Sequence, residues 1–511
     1  MAKWDVVVIG SGISGLTAAA ALSRAGQKVL LLEQHWLAGG LTQTFTRGEW
    51  QFATGVHYLS GMDEGDGPGG QFRRLLGWLS GDAMRFAPLA NPYDFVRIDE
   101  FTFGIAHPKT RFQTDLLARF PDEHAGIDRW FDQADAAVGA ANLLLAERGL
   151  PGWLASALRF WKGKDIAHFS RATVAEALAG FRDPHLRAVL GARGGDYGAA
   201  AADAPMLEHA LVTGAYHAGA FYPVGGPAAF ARALVPVVQQ AGGTVVLRAD
   251  VQSVDLVDGK IVGVTYKRAG KLFSEESRHV ISTMGLLNTL DRLPPDAAPD
   301  WREAARDLKS GPSYIALYLG FDGDIAAAGA SSANIWLYET PDSINRFWDH
   351  PDERDAPGLF VSFPSLKDPA HAGGHTAEVL ALCSSEAFEP WMASDPAARG
   401  EGYAALKARI EQRLLAQFRR NWPELGAMIR FHEVSTPLTQ RRFVRTPLGA
   451  MYGLEVSAAR LGSDALSIHT PVPGLLLAGQ DVTGAGVQPS AISGMLAAAA
   501  IKPSLLLHMN G

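Results

Sequence analysis

Two stretches of the chain match the glycine pattern G-x-G-x-x-G, which can hold the phosphates of a dinucleotide when it lies between a strand and a helix. They are GSGISG at residues 10–15 and GDGPGG at residues 65–70. The first follows the β-branched run DVVVI, precedes the helical pattern LTAAAALSRAG and leads to KVLLLE, a second buried-strand pattern. This order is the βαβ unit that a dinucleotide site requires. The second match has no strand before it and contains Pro68, so we expect a surface loop there.

The residues of the first match have separate roles in such a site. Gly10 permits the tight turn, Gly12 lets the backbone approach a pyrophosphate, and Gly15 lets the helix pack closely on the sheet. We expect the phosphates at the start of this helix, around Ser14, where free N–H groups and the helix dipole favour an anion. Glu33 ends the second strand, where a carboxylate accepts hydrogen bonds from ribose hydroxyls. The alternative, a tight turn without a ligand, is disfavoured because glycines, strand, helix and acid all agree.

A second glycine-rich segment lies near the other end of the chain. PGLLLAGQDVTGAGVQPSAISGMLAAAAI, residues 473–501, predicts a strand, a loop and an alanine-rich helix. The loop and the start of the helix contain Gly479, Asp481 and Gln488. A second loop-to-helix junction can place backbone N–H groups on the other half of a dinucleotide.

These segments resemble the FAD-dependent superfamily of phytoene desaturases and amine oxidases. The opening βαβ unit with E-x5-GG and the late AGQD segment carry this resemblance. FATGVHYLSGM, FYPVGGPAAFARALVPVVQQAGGTVVLRADVQSV and HVISTMGLLNT are similar to the branch of retinol 13,14-reductases (retinol saturases) and carotenoid isomerases. The resemblance implies FAD as the cofactor, with further contacts from Gln34, Gly39, Gly40, Leu41, Thr42 and the backbone of Val251, which would meet the adenine. The superfamily usually has an arginine after the glycine pair, so a charged pyrophosphate contact is missing or replaced here.

The predicted fold class is α/β: a Rossmann-like FAD-binding domain, built from a parallel sheet plus a β-meander, with an inserted α+β substrate domain. The meander follows from alternating apolar and polar residues after Gly243, with turns at Asp258-Gly259 and Ala269-Gly270. The cofactor domain is expected to be discontinuous, with substrate-domain segments between its pieces. We assign residues 1–85, 220–312 and 446–511 to the FAD-binding domain, and residues 86–219 and 313–445 to the substrate-binding domain.

Hydrogen transfer by a flavin requires a partner that handles protons. A flavin exchanges hydride at N5, and chemistry on a C=C bond needs a proton donor or acceptor at the other carbon. The resemblance places four candidate catalytic residues near the flavin ring: His57, Tyr58, Tyr197 and Tyr222. Tyr452 is a further candidate tyrosine. His57 is favoured first because its ordinary pKa suits proton transfer near neutrality. The alternative is structural, since a tyrosine more often packs with a satisfied hydroxyl.

The expected function is that of an FAD-dependent oxidoreductase acting on CH–CH bonds. It would desaturate or saturate a long apolar lipid chain, fatty-acyl or isoprenoid. Three alternatives stay open: a redox-neutral isomerase that uses reduced flavin, a flavin amine oxidase, and a non-enzymatic lipid carrier. The chain has no second well-placed glycine unit, so a permanent NAD(P)H domain is not expected and the electron donor or acceptor is left open.

Composition narrows the partners and the location. The 511 residues carry a formal net charge of −7 without a basic block, so we expect no nucleic-acid partner. The single cysteine, Cys383, excludes a disulfide framework and a cysteine-rich metal site, and we expect no metal. With no signal-peptide pattern, a cytoplasmic protein is expected. Residues 151–164 place Trp153 and Trp161 on one helical face with lysines at its end, which predicts peripheral docking on the inner face of the membrane; the alternative is a helix packed on the core.

Overall fold

The computed structural model describes residues 3–64, 70–150 and 152–509. In these residues the strands, in chain order, are β1 (Trp4–Ile9), β2 (Val29–Glu33), β3 (Thr44–Arg47), β4 (Trp50–Ala53), β5 (Phe86–Pro88), β6 (Asp94–Ile98), β7 (Phe101–Ile105), β8 (Phe221–Pro223), β9 (Thr244–Leu247), β10 (Asp250–Val257), β11 (Lys260–Arg268), β12 (Lys271–Ser282), β13 (Ser313–Phe321), β14 (Asn334–Tyr338), β15 (Gly358–Ser362), β16 (His375–Cys383), β17 (Ile429–Ser435) and β18 (Leu475–Leu477).

The α-helices connect and cover these strands. In chain order they are α1 (Ile13–Arg24), α2 (Gln71–Ser80), α3 (Lys109–Arg119), α4 (His124–Gly149), α5 (Gly152–Arg171), α6 (Val174–Leu178), α7 (Pro184–Gly191), α8 (Met206–Ala215), α9 (Ala229–Gln240), α10 (Leu286–Asp291), α11 (Pro299–Ala304), α12 (Glu389–Met392), α13 (Gly400–Asn421), α14 (Pro423–Met428), α15 (Pro437–Phe443), α16 (Ala458–Leu461), α17 (Gln480–Thr483) and α18 (Val487–Ile501).

The first sheet combines a parallel part with an antiparallel meander, as predicted. Its order is β10-β11-β12-β1-β2-β9, with β18 beside β12. The long strand β12 joins the two parts: residues 271–276 pair antiparallel with β11, and residues 277–282 pair parallel with β1. Strand β2 pairs parallel with β1 and with β9. The buried apolar runs of β1 and β2 fit this position, because a parallel sheet is covered by helices on both faces.

Helix α1 lies at the centre of this domain. Only its last residue, Arg24, is exposed, because α18, α9 and α2 pack around it. Small side chains permit the close approach. A Cβ on Gly494 of α18 would lie 2.1 Å from the carbonyl oxygen of Ser14, so the backbones of α1 and α18 touch at this point. The tight packing fixes the position of the first turn of α1.

The second sheet is mostly antiparallel and has the order β17-β13-β16-β15-β14-β6-β7, with β14 and β6 parallel. All nine residues of β13 are buried, because both faces of the sheet are covered. Helix α13 packs apolar residues such as Ile410 and Phe418 on one face, and an aromatic cluster covers the other. The strands of this sheet come from residues 94–105 and 313–435, whereas the first sheet uses residues 4–33, 244–282 and 475–477. The exact domain limits stay a prediction.

Two expectations from the sequence concern the second glycine match and the absence of a membrane-spanning helix. Residues 65–69 of the second glycine match lie outside the described part of the chain. Over the residues that the structure describes, no helix combines the length and the apolar character needed to cross a bilayer.

Candidate active site

A cavity of about 1290 Å³ opens at the ends of β1 and β2 and at the start of α1. Segments from both ends of the chain and from the region before residue 447 line it. Three of the predicted cofactor residues, Gly15, Gly39 and Gln488, are not on its wall. The predicted residues that line it are Gly10, Gly12, Ser14, Glu33, Gln34, Gly40, Leu41, Thr42, Val251, Gly479 and Asp481.

The start of α1 has the features of an anion site. Gly12 caps the helix without a side-chain hydrogen bond, and a Cβ there would meet nothing within 4 Å, so the backbone borders open space. The hydroxyl of Ser14 is buried and has no hydrogen-bond partner among the described residues. Helix N-termini leave N–H groups unsatisfied, and these groups with the Ser14 hydroxyl fit a pyrophosphate. The chain therefore offers the donors that the predicted cofactor needs.

The glycines act by letting backbone segments touch. A Cβ on Gly15 would lie 1.9 Å from the carbonyl oxygen of Gly10, which excludes any side chain there. A Cβ on Gly40 would lie 2.9 Å from the Cα of Gly12, and the N–H of Gly39 donates to the carbonyl of Ser11 at 3.0 Å. The glycine pair therefore packs directly against the turn, although Gly15 and Gly39 do not reach the cavity wall.

Glu33 braces the glycine turn as well as facing the cavity. Its Oε2 accepts hydrogen bonds from the backbone N–H of Ser11 at 2.8 Å and from the Ser11 hydroxyl at 2.7 Å. Its Oε1 accepts from the N–H of His35 at 2.7 Å. A carboxylate offers about four acceptor positions, so these three donors leave room for about one ribose hydroxyl.

Asp481 connects three segments of the wall. It is buried, and its two carboxylate oxygens accept hydrogen bonds from the N–H groups of Leu286, at 2.8 Å, and Leu454, at 3.0 Å. Gln488, which follows on α18, instead accepts a hydrogen bond from Ser60 at 2.9 Å. Val251 is buried on β10, where its carbonyl accepts from Arg292 at 2.8 Å. These residues shape the cavity mainly by holding backbone segments together.

A second, smaller cavity of about 70 Å³ adjoins the first at Tyr452, which lines both. Val56 lines the large cavity and His57 lines the small one, so the chain passes from one to the other at this point. The wall of the small cavity is mostly aromatic and aliphatic. It includes Tyr314, Trp336, Tyr338, Phe347, Leu359, Phe360, Leu380 and Met451, with few polar residues such as His57 and Asp196.

Of His57, Tyr58, Tyr197 and Tyr222, His57 is the residue that reaches this cavity. Its Nδ1 lies 3.0 Å from Oε2 of the fully buried Glu378, but the two groups are not aligned as a hydrogen bond, and neither ring nitrogen has a hydrogen-bond partner among the described residues. The other oxygen of Glu378 accepts from the N–H of Ala53. The backbone carbonyl of His57 accepts from the ammonium of Lys367 at 2.8 Å. A buried imidazole with a free ring nitrogen faces the apolar cavity.

Tyr58, Tyr197 and Tyr222 are buried deeper than His57 and lie off both cavity walls, unlike Tyr452. The hydroxyl of Tyr58 donates to Asp196 at 2.7 Å and accepts from Arg193 at 3.1 Å. The Tyr197 hydroxyl lies 2.9 Å from Nδ1 of His209. Tyr222, on β8, is buried below Lys367. Burial raises the pKa of all three phenols well above the usual value. Their catalytic roles stay a prediction.

Tyr58 belongs to a buried ionic cluster that sequence reasoning missed. Arg193 pairs with Asp196 at 2.8 Å and lies 3.4 Å from Asp94. Asn334 links this group to Lys367, since its amide donates to Asp94 at 2.8 Å and its oxygen accepts from the lysine. Burial raises the pKa of Asp94 to about 6 and lowers that of Lys367 to about 7. The sequence signal for this cluster was a charged residue within an apolar strand pattern, as in DFVRI. The sequence does not show which charged residues of this kind lie together in the fold.

The comparisons with known proteins agree on one family. The model of the family described as flavin containing amine oxidoreductase matches residues 13–502. The all-trans-retinol 13,14-reductase of Rattus norvegicus is 31% identical, over 98% of this chain and 86% of the rat protein. The chloroplastic prolycopene isomerase of Daucus carota is 25% identical, over 99% and 81% respectively. The solved structure of cyclohexylamine oxidase from Brevibacterium oxydans has a TM-score of 0.63 at 19% identity, over 98% of this chain and 99% of the oxidase, which shows a shared fold.

The fold and the large cavity define a dinucleotide-binding α/β enzyme with a second, mostly antiparallel sheet. The chain belongs to the flavin containing amine oxidoreductase family. It is an oxidoreductase, and its cofactor is FAD, as the sequence predicted. The donors at the start of α1 and the size of the cavity fit this cofactor.

Proposed function

We propose that this protein adds two hydrogens across a C=C bond of a long apolar molecule, of the isoprenoid or fatty-acyl class. The observation that carries the proposal is the apolar, aromatic cavity that meets the FAD cavity at Tyr452. Saturation is the proposed direction because the rat relative, aligned along 98% of the chain, is by name a reductase of retinol. Isomerisation and amine oxidation are distinguished from it by the experiment below.

FAD in its reduced form supplies a hydride at N5 when bound. In our proposal, His57 supplies the proton for the other carbon from Nε2, the ring nitrogen that does not face Glu378. Glu378 positions the imidazole, because its Oε2 lies 3.0 Å from Nδ1. The apolar wall excludes water, which favours delivery of this proton to the substrate.

The size of the small cavity limits what it can enclose. Drug-sized ligand pockets are usually about 300–1,000 Å³. A cavity of about 70 Å³ therefore encloses only the reacting segment of a long chain. Arg346 lines the same cavity and its side chain is 56% exposed, so the cavity approaches the surface there. We infer that the rest of the substrate extends along this direction.

The amine oxidase alternative requires a polar group that can receive an amine. Asp196 is the carboxylate on the small cavity wall, and its Oδ2 already binds Arg193 and Tyr58. A lipid carrier would not need a working flavin site. The glycine turn and Glu33 nevertheless border an open cavity, as a flavin site requires. A yellow purified protein with bound flavin would argue against the carrier.

The decisive experiment gives the FAD-loaded protein, reduced anaerobically with dithionite, an apolar polyene such as all-trans-retinol. We expect a gain of two hydrogens by mass and absorption at shorter wavelength as conjugation shortens. An unchanged mass with a new geometric isomer would indicate an isomerase. In a separate aerobic assay with the oxidised protein, peroxide formed from cyclohexylamine or putrescine would indicate an amine oxidase. His57→Ala should retain FAD and lose turnover; full turnover in this variant would contradict the proposed proton donor.

We also propose that α5 docks on a membrane, from which an apolar substrate could enter. The side chain of Trp161 is 81% exposed, Ala157 is exposed, and Leu154 and Leu158 are partly exposed. The side chains of Trp153 and Lys162, which the sequence analysis placed at this surface, lie outside the described part of the chain. An exposed tryptophan beside apolar residues suits the bilayer interface.

A further inference from the structure

The start of α1 would hold the negatively charged pyrophosphate of FAD, and the glycine pair is followed by Leu41 and Thr42 instead of a cation. Helix N-terminal groups stabilise an anion by about 0.3–1 kcal/mol when exposed and more when buried. Hydrogen bonds from charged groups contribute about twice as much as neutral ones. A compensating cation on another segment of the cavity wall would complete this site.

Helix α15 lies beside the large cavity. At the ribose end, Gln34 donates to the carbonyl of Phe443, the last residue of α15, at 2.7 Å. After the end of α15, the chain continues to Met451, which donates to the carbonyl of Pro312 at 2.9 Å and lines the small cavity. Leu438 and Arg441, three residues apart on α15, both line the cavity. Arg441 is two residues before Phe443 and therefore lies close to the ribose end of the cavity, next to which a dinucleotide would carry its phosphates.

Arg399 reaches the same cavity from the segment before α13. Its Nε is buried and has no hydrogen-bond partner among the described residues. Its guanidinium carbon lies 5.2 Å from the centre of the Tyr403 ring, and the Tyr403 hydroxyl bonds Thr436, the residue that begins α15, at 2.8 Å. A buried guanidinium N–H without an acceptor is costly, which indicates an anionic partner that the protein does not itself provide.

The other arginines of the wall have contacts in the protein. Arg292 donates to the carbonyl of Val251 at 2.8 Å, and Arg445 pairs with Asp250 at 3.3 Å. Arg442 lies over the ring of Phe443, with its guanidinium carbon 5.3 Å from the ring centre. No hydrogen bond or ion pair joins Arg441 to another described residue. Among the described residues, Arg399, Arg441 and Arg442 are thus the arginines of the wall without a hydrogen bond or ion pair, and the Nε of Arg399 is also buried.

We infer that Arg399 and Arg441 bind the pyrophosphate of FAD and replace the arginine that is missing after the glycine pair. Both belong to segments that also cover the second sheet, so cofactor binding would tie the two sheets together across the cavity. Each arginine contributes a charge-assisted hydrogen bond, and loss of one is expected to weaken FAD binding by about tenfold or more.

The test measures binding of FAD and of riboflavin, which lacks the phosphates, to the apoprotein by flavin fluorescence. Arg399→Gln and Arg441→Gln should each weaken FAD binding about tenfold, leave riboflavin binding unchanged, and reduce the salt dependence of FAD affinity. Arg441→Lys, which keeps the charge, should recover part of the loss. Arg409→Gln, on an exposed ion pair of α13, is the matched control and should bind FAD like the wild type.

Two results would overturn the inference. One is an FAD affinity that stays unchanged in both the Arg399→Gln and the Arg441→Gln variants. The other is an equal loss of FAD and riboflavin affinity, which would show a general disturbance of the cavity. Neither result depends on the substrate, so the outcome is separate from that of the proposed reaction.

Discussion

The contact between α18 and α1 allows a quantitative prediction about FAD binding. A Cβ on Gly494 would lie 2.1 Å from the carbonyl oxygen and 3.1 Å from the Cα of Ser14. Ordinary contact begins at 3.4 Å, so Gly494→Ala would force the two helices apart by about 1.3 Å unless the backbone deforms. The side of α1 that must move is the first turn, which carries the donors of the pyrophosphate site.

The expected cost follows from this distance. Overpacking a close contact costs about 1–3 kcal/mol, and here both partners are backbone, which cannot rotate away. A shift of about 1 Å in positioning groups can lower activity by about a hundredfold. We expect Gly494→Ala to lower the midpoint of thermal unfolding by several degrees and to weaken FAD binding by at least about tenfold.

Gly139→Ala provides the matched control. Gly139 is also inside a helix, α4, but its Cβ would meet nothing within 4 Å. Alanine there should be neutral or stabilise the helix by about 0.5–1 kcal/mol, because glycine is a poor helix former. Thermal unfolding of the apoprotein and titration with FAD measure both effects. If Gly494→Ala melts and binds FAD like the wild type, α18 yields without moving α1 and the reasoning is wrong.

Further predictions concern the ionic cluster and α5. Burial lowers the pKa of Lys367 to about 7, so the unfolded chain holds one more proton than the folded chain between pH 7 and about 10.5. The free energy of unfolding should therefore rise with pH in this window. Lys367→Met should flatten that rise, and an unchanged slope would refute the prediction. Arg193→Met leaves Asp94 and Asp196 without their counter-charge and should cost about 3–5 kcal/mol in thermal unfolding, with partial recovery on adding Asp196→Asn. Trp161→Ala should reduce co-sedimentation with anionic vesicles; equal, negligible binding by both proteins would exclude membrane docking.

Local patterns predicted the cofactor domain well. The βαβ unit and the meander with its turns at Asp258 and Ala269 lie where the sequence placed them, because each depends on residues close in the chain. The family resemblance predicted FAD, which the family match confirms. The roles of individual residues were harder to assign. Glu33 and Asp481 serve largely as acceptors for backbone N–H groups, a use that spacing alone does not indicate.

The sequence by itself determined the dinucleotide turn, since glycines, strand, helix and terminal acid lie within about thirty residues and act through local geometry. Only the tertiary structure decided which residues surround the reacting end of the cofactor cavity. It placed His57 beside Glu378, gathered Asp94, Arg193 and Lys367 into one buried cluster, and brought Arg399 and Arg441 to the cofactor cavity. These pairings join residues up to several hundred positions apart. Their energies depend on burial and on distance in space, and neither is encoded in any short stretch of the chain.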